Sequence, residues 1–428
     1  MNKHHHWLAR QIPEWVNDNI ISHEQAQALQ TRYPVKDTVS LGRLLITGIG
    51  AIMIGLGIIL LFAYNWSEMG KYLKLTVIFS AFIGAHTLAF LTIKSNTILS
   101  ESLFALGTML MGAAIFLVGQ IYHLDSHYPD AFLLWSIGAL ALAWALPSLT
   151  QAFMTITLIL SWHMLEVFNF QFANYSAFLI IVAGIFPLIW RLHSPLLGRF
   201  ASASLFITLG LSIGSINEET VPITLLMISV TLICLDQIVQ VRGNNSQSII
   251  AREIAKPAQL ILIIMLFLFS FGELFREIVY FDLEPLIPAI FFWTTLVLSQ
   301  LGFAWLLIKR QLSAMVIMAE LTALLILFPN LLSHYLETKT IASISMLSVF
   351  AFNLILLATS IWMMIDGAKH AHRQQMVRGS LIFAIFAMSR YTDLFDSLIA
   401  RAIVFLIVGI ALFSVGHIYQ RNKKELVQ

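Results

Sequence analysis

Long apolar runs alternate with short polar turns along most of the chain. Many of these runs reach the roughly 20 residues that cross a hydrocarbon core about 30 Å thick. The alternating polarity of membrane β-barrel strands is missing. The pattern therefore predicts an all-α polytopic membrane protein of about fourteen transmembrane helices, near 44–64, 72–93, 101–121, 130–147, 150–167, 174–191, 196–216, 221–240, 257–274, 286–308, 312–328, 341–365, 376–392 and 399–419.

Composition supports the same class of protein. Of the 428 residues, 58% are apolar and 11% are charged, whereas soluble domains carry about 25% charged residues. Cys234 is the single cysteine and lies inside an apolar run. An internal disulfide and a thiolate metal cluster are therefore excluded, and we expect a buried, inert thiol.

Lysine and arginine residues orient the predicted spans, because short cytoplasmic loops retain them. With a cytoplasmic N-terminus, all but six of the 25 basic residues fall in cytoplasmic segments. The exceptions are Lys71, Lys74, Arg276, Lys339, Arg390 and Arg401. A wrong number of spans would mix the two sides, so the distribution favours fourteen spans with both termini cytoplasmic (N-in/C-in).

The N-terminal segment reads as a small cytoplasmic helical hairpin over residues 1–40. Ser22 followed by Gln25 is a capping-box pattern that predicts the start of a second helix. The segment contains no secretory apolar region, so we expect the first span to direct insertion. His4, His5 and His6 suit a flexible tail, a metal ligand set or an expression-tag remnant.

The domain organisation follows from these limits. After the hairpin we place a polytopic transmembrane domain at 41–421, with a possible division near 242–256, and a cytoplasmic tail at 422–428. A hairpin of about thirty residues buries too little surface to be stable alone. We therefore expect it to dock on its own chain or on a protein partner.

Several short motifs carry a family resemblance. They comprise Trp15, Ile20, Ile21, Ser22, Glu24, Gln25, Ala26 and Tyr33; Asn65-Trp66; Gly119-Gln120-Ile121-Tyr122; Leu133-Leu134-Trp135; and the late Arg390-Tyr391-Thr392-Asp393 turn with Gly409. The sequence resembles the bacterial "predicted membrane protein" family that is defined by an N-terminal domain of unknown function (type 2157), most clearly over the first 150 residues. The resemblance implies a bacterial inner-membrane location and transfers no activity.

Polar residues inside predicted spans are candidates for chemistry, since a charge at the span centre costs about 2.5–3.5 kcal/mol on insertion scales. Glu320, central in MVIMAELTALLILF, suits either a proton-coupled transporter or a neutral structural hydrogen bond. We expect His86 either to bond to a backbone or hydroxyl group or to act in a proton relay. Asn353 and Gln300 are typical of contacts between helices.

A second set of candidates lies on the predicted outer side, around the turn GQIYHLDSHYPDAFLLW at 119–135. A His/Asp/Glu group of this kind can bind a divalent metal or act as acid and base. No spacing matches a zinc signature, so we expect no metal, and an ordinary water-facing rim remains the alternative. The set comprises Tyr122, His123, Asp125, His127, Asp130, His163, Glu166, Arg390, Asp393, Asp396 and Arg401.

Three functions remain open on the sequence. The first is a transporter or flippase, or a membrane-assembly protein, acting on a small or lipid-linked substrate through Glu320. The second is an outer-face transferase acting on a lipid-linked substrate, and the third is a scaffold that recruits a partner through residues 1–40. Phosphate-loop motifs are absent, so we expect no ATP-driven transport by this chain alone. We also expect no cofactor and no nucleic-acid partner.

Overall fold

The computed structural model assigns only helices to the secondary structure of the residues that it describes. These are residues 2–18, 20–32, 46, 49–50, 53–54, 56–57, 60, 70–124, 127–146, 148–172, 174–243, 245–279, 286–333, 338–370, 372–394, 406, 409–410 and 413–414. The chain forms two compact units, Met1–Leu124 and Asp125–Gln428.

The first unit contains a short hairpin and a pair of long helices. The hairpin comprises α1 (Asn2–Asn17) and α2 (His23–Arg32), and the pair comprises α3 (Lys71–Thr92) and α4 (Thr97–Ile121). The backbone N–H of Ser22 donates to Gln25 Oε1 at 2.9 Å, and that of Gln25 donates to Ser22 Oγ at 3.2 Å. Reciprocal bonds of this kind satisfy the free N–H groups at the start of α2.

His86 fills the space between α3 and α4. Its Nδ1 lies 3.1 Å from the carbonyl oxygen of Phe82, and its ring contacts Phe104 of α4 edge to face. Gly107 faces this ring so closely that a Cβ there would lie 2.3 Å from the imidazole. The missing side chain at Gly107 therefore makes room for the histidine.

The second unit contains the remaining described helices. In chain order they are α5 (Asp130–Ala145), α6 (Leu149–Phe170), α7 (Ser176–Arg191), α8 (Pro195–Gly214), α9 (Thr220–Arg242), α10 (Asn245–Phe269), α11 (Gly272–Val279), α12 (Leu286–Ile308), α13 (Ala314–Ser333), α14 (Thr338–Lys369) and α15 (Arg373–Leu394).

Local sequence signals set several helix ends. Ser148 and Ser194 cap α6 and α8 by accepting from the backbone N–H groups of Gln151 and Leu197. Gly243 ends α9 with a φ of 76°, a conformation that glycine adopts without strain. In α7, a π-helical turn at Ile181–Ile185 precedes Pro187, whose missing N–H disrupts the regular hydrogen-bond ladder.

The core of the second unit lies among α8, α9, α10, α12, α13 and α14. Phe269, Phe275, Phe292 and Phe352 are its largest fully buried side chains. Phe275 comes from the short helix α11, and its ring contacts those of Phe269 and Phe352. This aromatic cluster fixes α11 against the end of the bundle.

Eight of the described helices are long and apolar enough to cross a membrane: α3, α4, α6, α8, α9, α12, α13 and α14. Large apolar side chains remain exposed on them, and only 11% of the apolar window of α3 is buried. The sequence-based prediction of a helical membrane protein is therefore confirmed. The predicted spans 44–64 and 399–419 fall almost wholly outside the described residues, so the count of fourteen stays a prediction.

The His86–Gly107 contact leads to a test of how α3 and α4 pack. We expect Gly107→Ala to lower the free energy of unfolding by about 1–3 kcal/mol, because overpacking forces side chains or backbone to shift. Adding His86→Ala removes the obstructing ring and should restore most of the loss. Thermal unfolding of the purified protein in detergent measures the effect.

The matched control is Gly119→Ala, in the same helix, where an added Cβ meets nothing within 4 Å. Equal destabilisation by the two glycine variants would contradict the packing role of Gly107.

Candidate functional site

Three of the predicted outer-side residues come together at the ends of α5 and α6. His127, Asp130 and Glu166 each offer a nitrogen or oxygen ligand atom, and these atoms lie within 4.8 Å of one another. We call these three residues the rim cluster. His127 precedes Pro129, Asp130 begins α5, and Glu166 lies in the last turns of α6.

The helix ends that hold the rim cluster are fixed by local contacts. Asp130 lies in the first turn of α5, where the positive end of the helix dipole favours a carboxylate. Helix α6 ends at Gln171, which is left-handed with a φ of 52°. Asn169 donates to the hydroxyl of Tyr128, and the Phe170 ring packs edge-on against His127 at a centroid distance of 4.0 Å.

Glu166 is the buried member of the rim cluster, with 3% of its surface exposed. Its Oε1 accepts a hydrogen bond from Trp162 Nε1 at 3.0 Å and lies 2.7 Å from His127 Nε2. The His127 side chain is 33% exposed. The carboxyl is therefore shielded by protein on one side and reached from solvent through the imidazole on the other.

This arrangement can bind a divalent cation or transfer a proton. One imidazole and two carboxylates are ligands that zinc accepts, and the tryptophan N–H orients the buried carboxylate as outer ligands do in metal sites. The same His–Glu pair can exchange a proton between a buried acid and water. Both uses require the side chains that the structure brings together.

His163 lies beside the rim cluster in sequence but faces a different helix. It is fully buried, and its Nε2 lies 3.1 Å from both the Thr208 carbonyl oxygen and Ser212 Oγ of α8. Ser212 Oγ donates to the carbonyl of Asn174, so it accepts from the histidine. These contacts assign the proton to Nε2, and Nδ1 is buried with no hydrogen-bond partner among the described residues.

A second polar cluster lies within the spans, where α9, α12 and α13 meet. Glu320 of α13 is 4% exposed. Gln300 Nε2 of α12 donates to its Oε2 at 2.9 Å, and Cys234 Sγ of α9 lies 3.9 Å from its Oε1. We call Glu320, Gln300 and Cys234 the membrane carboxyl cluster. Among the described residues, no lysine, arginine or histidine forms an ion pair with Glu320.

Asn353 and Arg390 join three helices at the end of α10. Asn353 Nδ2 donates to the carbonyl of Ser270 at 3.0 Å. Arg390 Nη2 donates to Ser270 Oγ at 2.6 Å, and its guanidinium lies 4.1 Å from the centroid of the Phe271 ring. These contacts tie α14 and α15 to the residues that follow α10.

The other predicted site residues fall elsewhere. Tyr122 and His123 are exposed at the end of α4, in the first unit. His86 is the interhelical residue described above. Asp125, the side chain of Asp393, Asp396 and Arg401 lie outside the described residues.

Sequence reasoning missed Trp162 as a partner of Glu166. The two residues are four apart on α6, a spacing that places side chains on one helix face. That spacing, together with an indole N–H that can donate to a carboxylate, was the sequence signal that could have indicated the pair. His127 gave none, because 39 residues separate it from Glu166.

The rim cluster leads to a test of metal binding. The spacing in the sequence predicts no metal, but the structure brings three ligand atoms together. In a background with His4, His5 and His6 changed to alanine, we therefore expect the full-length protein in detergent to bind one Zn²⁺. Glu166→Gln should weaken that binding at least tenfold, because it removes an anionic ligand. Competition with a fluorescent zinc indicator measures the affinity.

The matched control is His193→Ala, which removes an exposed histidine outside the rim cluster. Zinc affinity that is unchanged in Glu166→Gln, or weakened equally in His193→Ala, would show that the rim cluster is not the ligand set.

Comparison with known proteins bears on the N-terminal part of the chain. Residues 13–152 match the model of a family described as "Predicted membrane protein (DUF2157)". No curated protein and no solved structure matches the chain. The matched residues include His127 and Asp130 but end before Glu166, Glu320 and the late Arg390 turn. The resemblance seen in the sequence is confirmed over residues 13–152, which are similar to the predicted membrane protein family DUF2157.

Proposed function

We propose that this protein is a proton-linked transporter or flippase that moves a small or lipid-linked substrate across the membrane. The observation that carries the proposal is the membrane carboxyl cluster. A buried acid joins three candidate spans there, and no basic side chain among the described residues pairs with it.

The energetics of Glu320 favour such a role. An ionised carboxylate at the centre of a span costs about 2.5–3.5 kcal/mol on insertion scales. A carboxyl so placed holds its proton until water or a cation reaches it. Proton exchange at Glu320 is therefore linked to any motion that opens the cluster.

Gln300 provides a route for that opening. Glu320 is buried, whereas Gln300, whose amide donates to it, is an exposed residue. Displacing one amide therefore uncovers the carboxyl without unpacking the aromatic core around Phe292 and Phe352. A hydrogen bond between membrane helices contributes only about 0.6 kcal/mol on average when its groups find other partners on opening, so the displacement is inexpensive once water reaches the carboxyl.

The proposal includes fourteen spans with both termini cytoplasmic, in a bacterial inner membrane. The distribution of lysine and arginine supports this topology. Helices occupy each of the twelve predicted spans between 72 and 392, so the predicted spacing of spans agrees with the described helices.

A second candidate function is an outer-face enzyme that acts on a lipid-linked substrate. The specific observation in its favour is the rim cluster, in which a buried acid contacts a half-exposed histidine at 2.7 Å. That pair has the reach required for general acid–base work. A transferase of this kind requires the rim cluster, whereas the transporter requires Glu320.

Cys234 reports directly on the proposed transport motion, because it is the single cysteine of the chain and contacts Glu320. The thiol is buried in this structure, so we expect a small polar methanethiosulfonate reagent to label it in proteoliposomes only while the cluster is open. At constant outer pH, a change of inner pH should alter the labelling rate several-fold, because proton exchange at Glu320 shifts the opening equilibrium. Glu320→Gln should abolish that dependence while the protein still folds. Mass spectrometry of the intact protein measures labelling.

The matched control places the thiol one residue away, in Cys234→Ser/Leu235→Cys. Leu235 is 49% exposed on the bundle surface, where a thiol in lipid should stay unreactive. A labelling rate of Cys234 that is insensitive to the pH gradient, or is equally sensitive in Glu320→Gln, would refute the proposed mechanism.

The topology has its own test. We expect alkaline phosphatase fused after Gln428 to be inactive and green fluorescent protein there to fluoresce, because that end is placed in the cytoplasm. Fusions between Ser215 and Glu219, in the turn after α8, should show the opposite pattern. Active phosphatase at Gln428 would disprove the assignment.

A further inference from the structure

A groove of about 520 Å³ lies on the surface of the second unit, remote in sequence from the rim cluster. It is lined by residues of α8, α10, α13, α14 and α15, including Arg199, Lys256 and Arg378. We call it the basic groove. All three cations belong to segments that the sequence places on the cytoplasmic side.

The charges around the basic groove do not cancel. Glu253 accepts hydrogen bonds from Arg199 and Lys256. Burial alone would raise the pKa of the Glu253 carboxyl, but the bonds from Lys256 and Arg199 outweigh it and lower the pKa. The carboxylate is thus ionised at neutral pH and offsets one of the cations. Arg378 has no carboxylate partner among the described residues, so the groove keeps a net positive charge.

Apart from Gln259, the rest of the groove lining is apolar. Phe200, Leu260 and Leu381 contribute to the lining, and their exposed fractions are 51%, 60% and 59%. A soluble protein rarely leaves such side chains together on its surface. In a bilayer they form a track on which acyl chains can lie.

We propose that the basic groove binds one anionic phospholipid, with its phosphate held by Arg199, Lys256 and Arg378. A cationic end joined to an apolar track matches a charged headgroup joined to acyl chains. Basic pockets between membrane helices on the cytoplasmic side bind anionic lipid headgroups by this chemistry. A free phosphate would use the cations and leave the apolar track without a ligand.

The phospholipid site stands apart from the transport proposal. It uses none of the residues of the membrane carboxyl cluster, so loss of lipid binding and loss of the pH dependence of Cys234 labelling are separate outcomes.

Native mass spectrometry of the full-length protein in detergent tests the site. Titration with dioleoyl phosphatidylglycerol should show tighter binding than titration with dioleoyl phosphatidylcholine, which carries no net charge. Arg378→Gln should weaken phosphatidylglycerol binding about fivefold, as expected for one basic residue at an anionic headgroup. Phosphatidylcholine binding should not change. Lys256→Gln, which leaves Glu253 paired with Arg199, should weaken phosphatidylglycerol binding similarly.

The matched control is Arg373→Gln, an exposed arginine on the same helix that does not line the groove. Equal binding of the two lipids would overturn the proposal. So would an equal loss in Arg373→Gln and Arg378→Gln, which would indicate nonspecific attraction. Displacement of the lipid by equimolar glycerol 1-phosphate would show a phosphate site without lipid specificity and would also overturn it.

Discussion

The hydrogen bond between polar groups on different helices is the interaction on which this structure depends. Hydrocarbon offers no donor or acceptor, so an unpaired polar group there costs several kcal/mol. Glu320 with Gln300, and Asn353 with the Ser270 carbonyl, each join two helices in this way. Apolar packing alone cannot select these partners, because one lipid-facing helix surface resembles another. The polar pairs therefore contribute to which helices meet and in what register.

The positions of the helices could be predicted well because hydropathy is a long-range, additive property. Each predicted span between 72 and 392 has its helix. The largest difference is α10, which begins at Asn245, whereas the predicted span begins at Pro257. Its first half carries Arg252, Glu253 and Lys256, so hydropathy gives no sign of it. The ion pairs of Glu253 with Lys256 and with Arg199 of α8 stabilise that half.

The candidate sites were less predictable, because they depend on contacts between distant segments. Sequence analysis selected His127, Asp130, His163 and Glu166 for their chemistry. It could not show that His163 turns away to bond Thr208 and Ser212 while the other three converge. Successive residues of an α-helix differ in direction by about 100°, so His163 and Glu166, three residues apart on α6, point about 60° apart and meet different neighbours. The basic groove was missed for the same reason, since its cations come from three helices.

Glu166 and Glu320 are both buried carboxyls that accept a hydrogen bond from a nitrogen donor, but their surroundings differ. Each accepts from a nitrogen donor, Trp162 in one case and Gln300 in the other. Glu166 has in addition a His127 imidazole that reaches solvent, so water reaches its hydrogen-bond partner without any movement of helices. Glu320 has only a neutral amide and a thiol, neither of which carries a proton away readily. Exchange at Glu320 must therefore wait for a conformational change, and the proposed coupling of proton movement to transport rests on that requirement, whereas the proposed enzyme function rests on the solvent-accessible rim cluster.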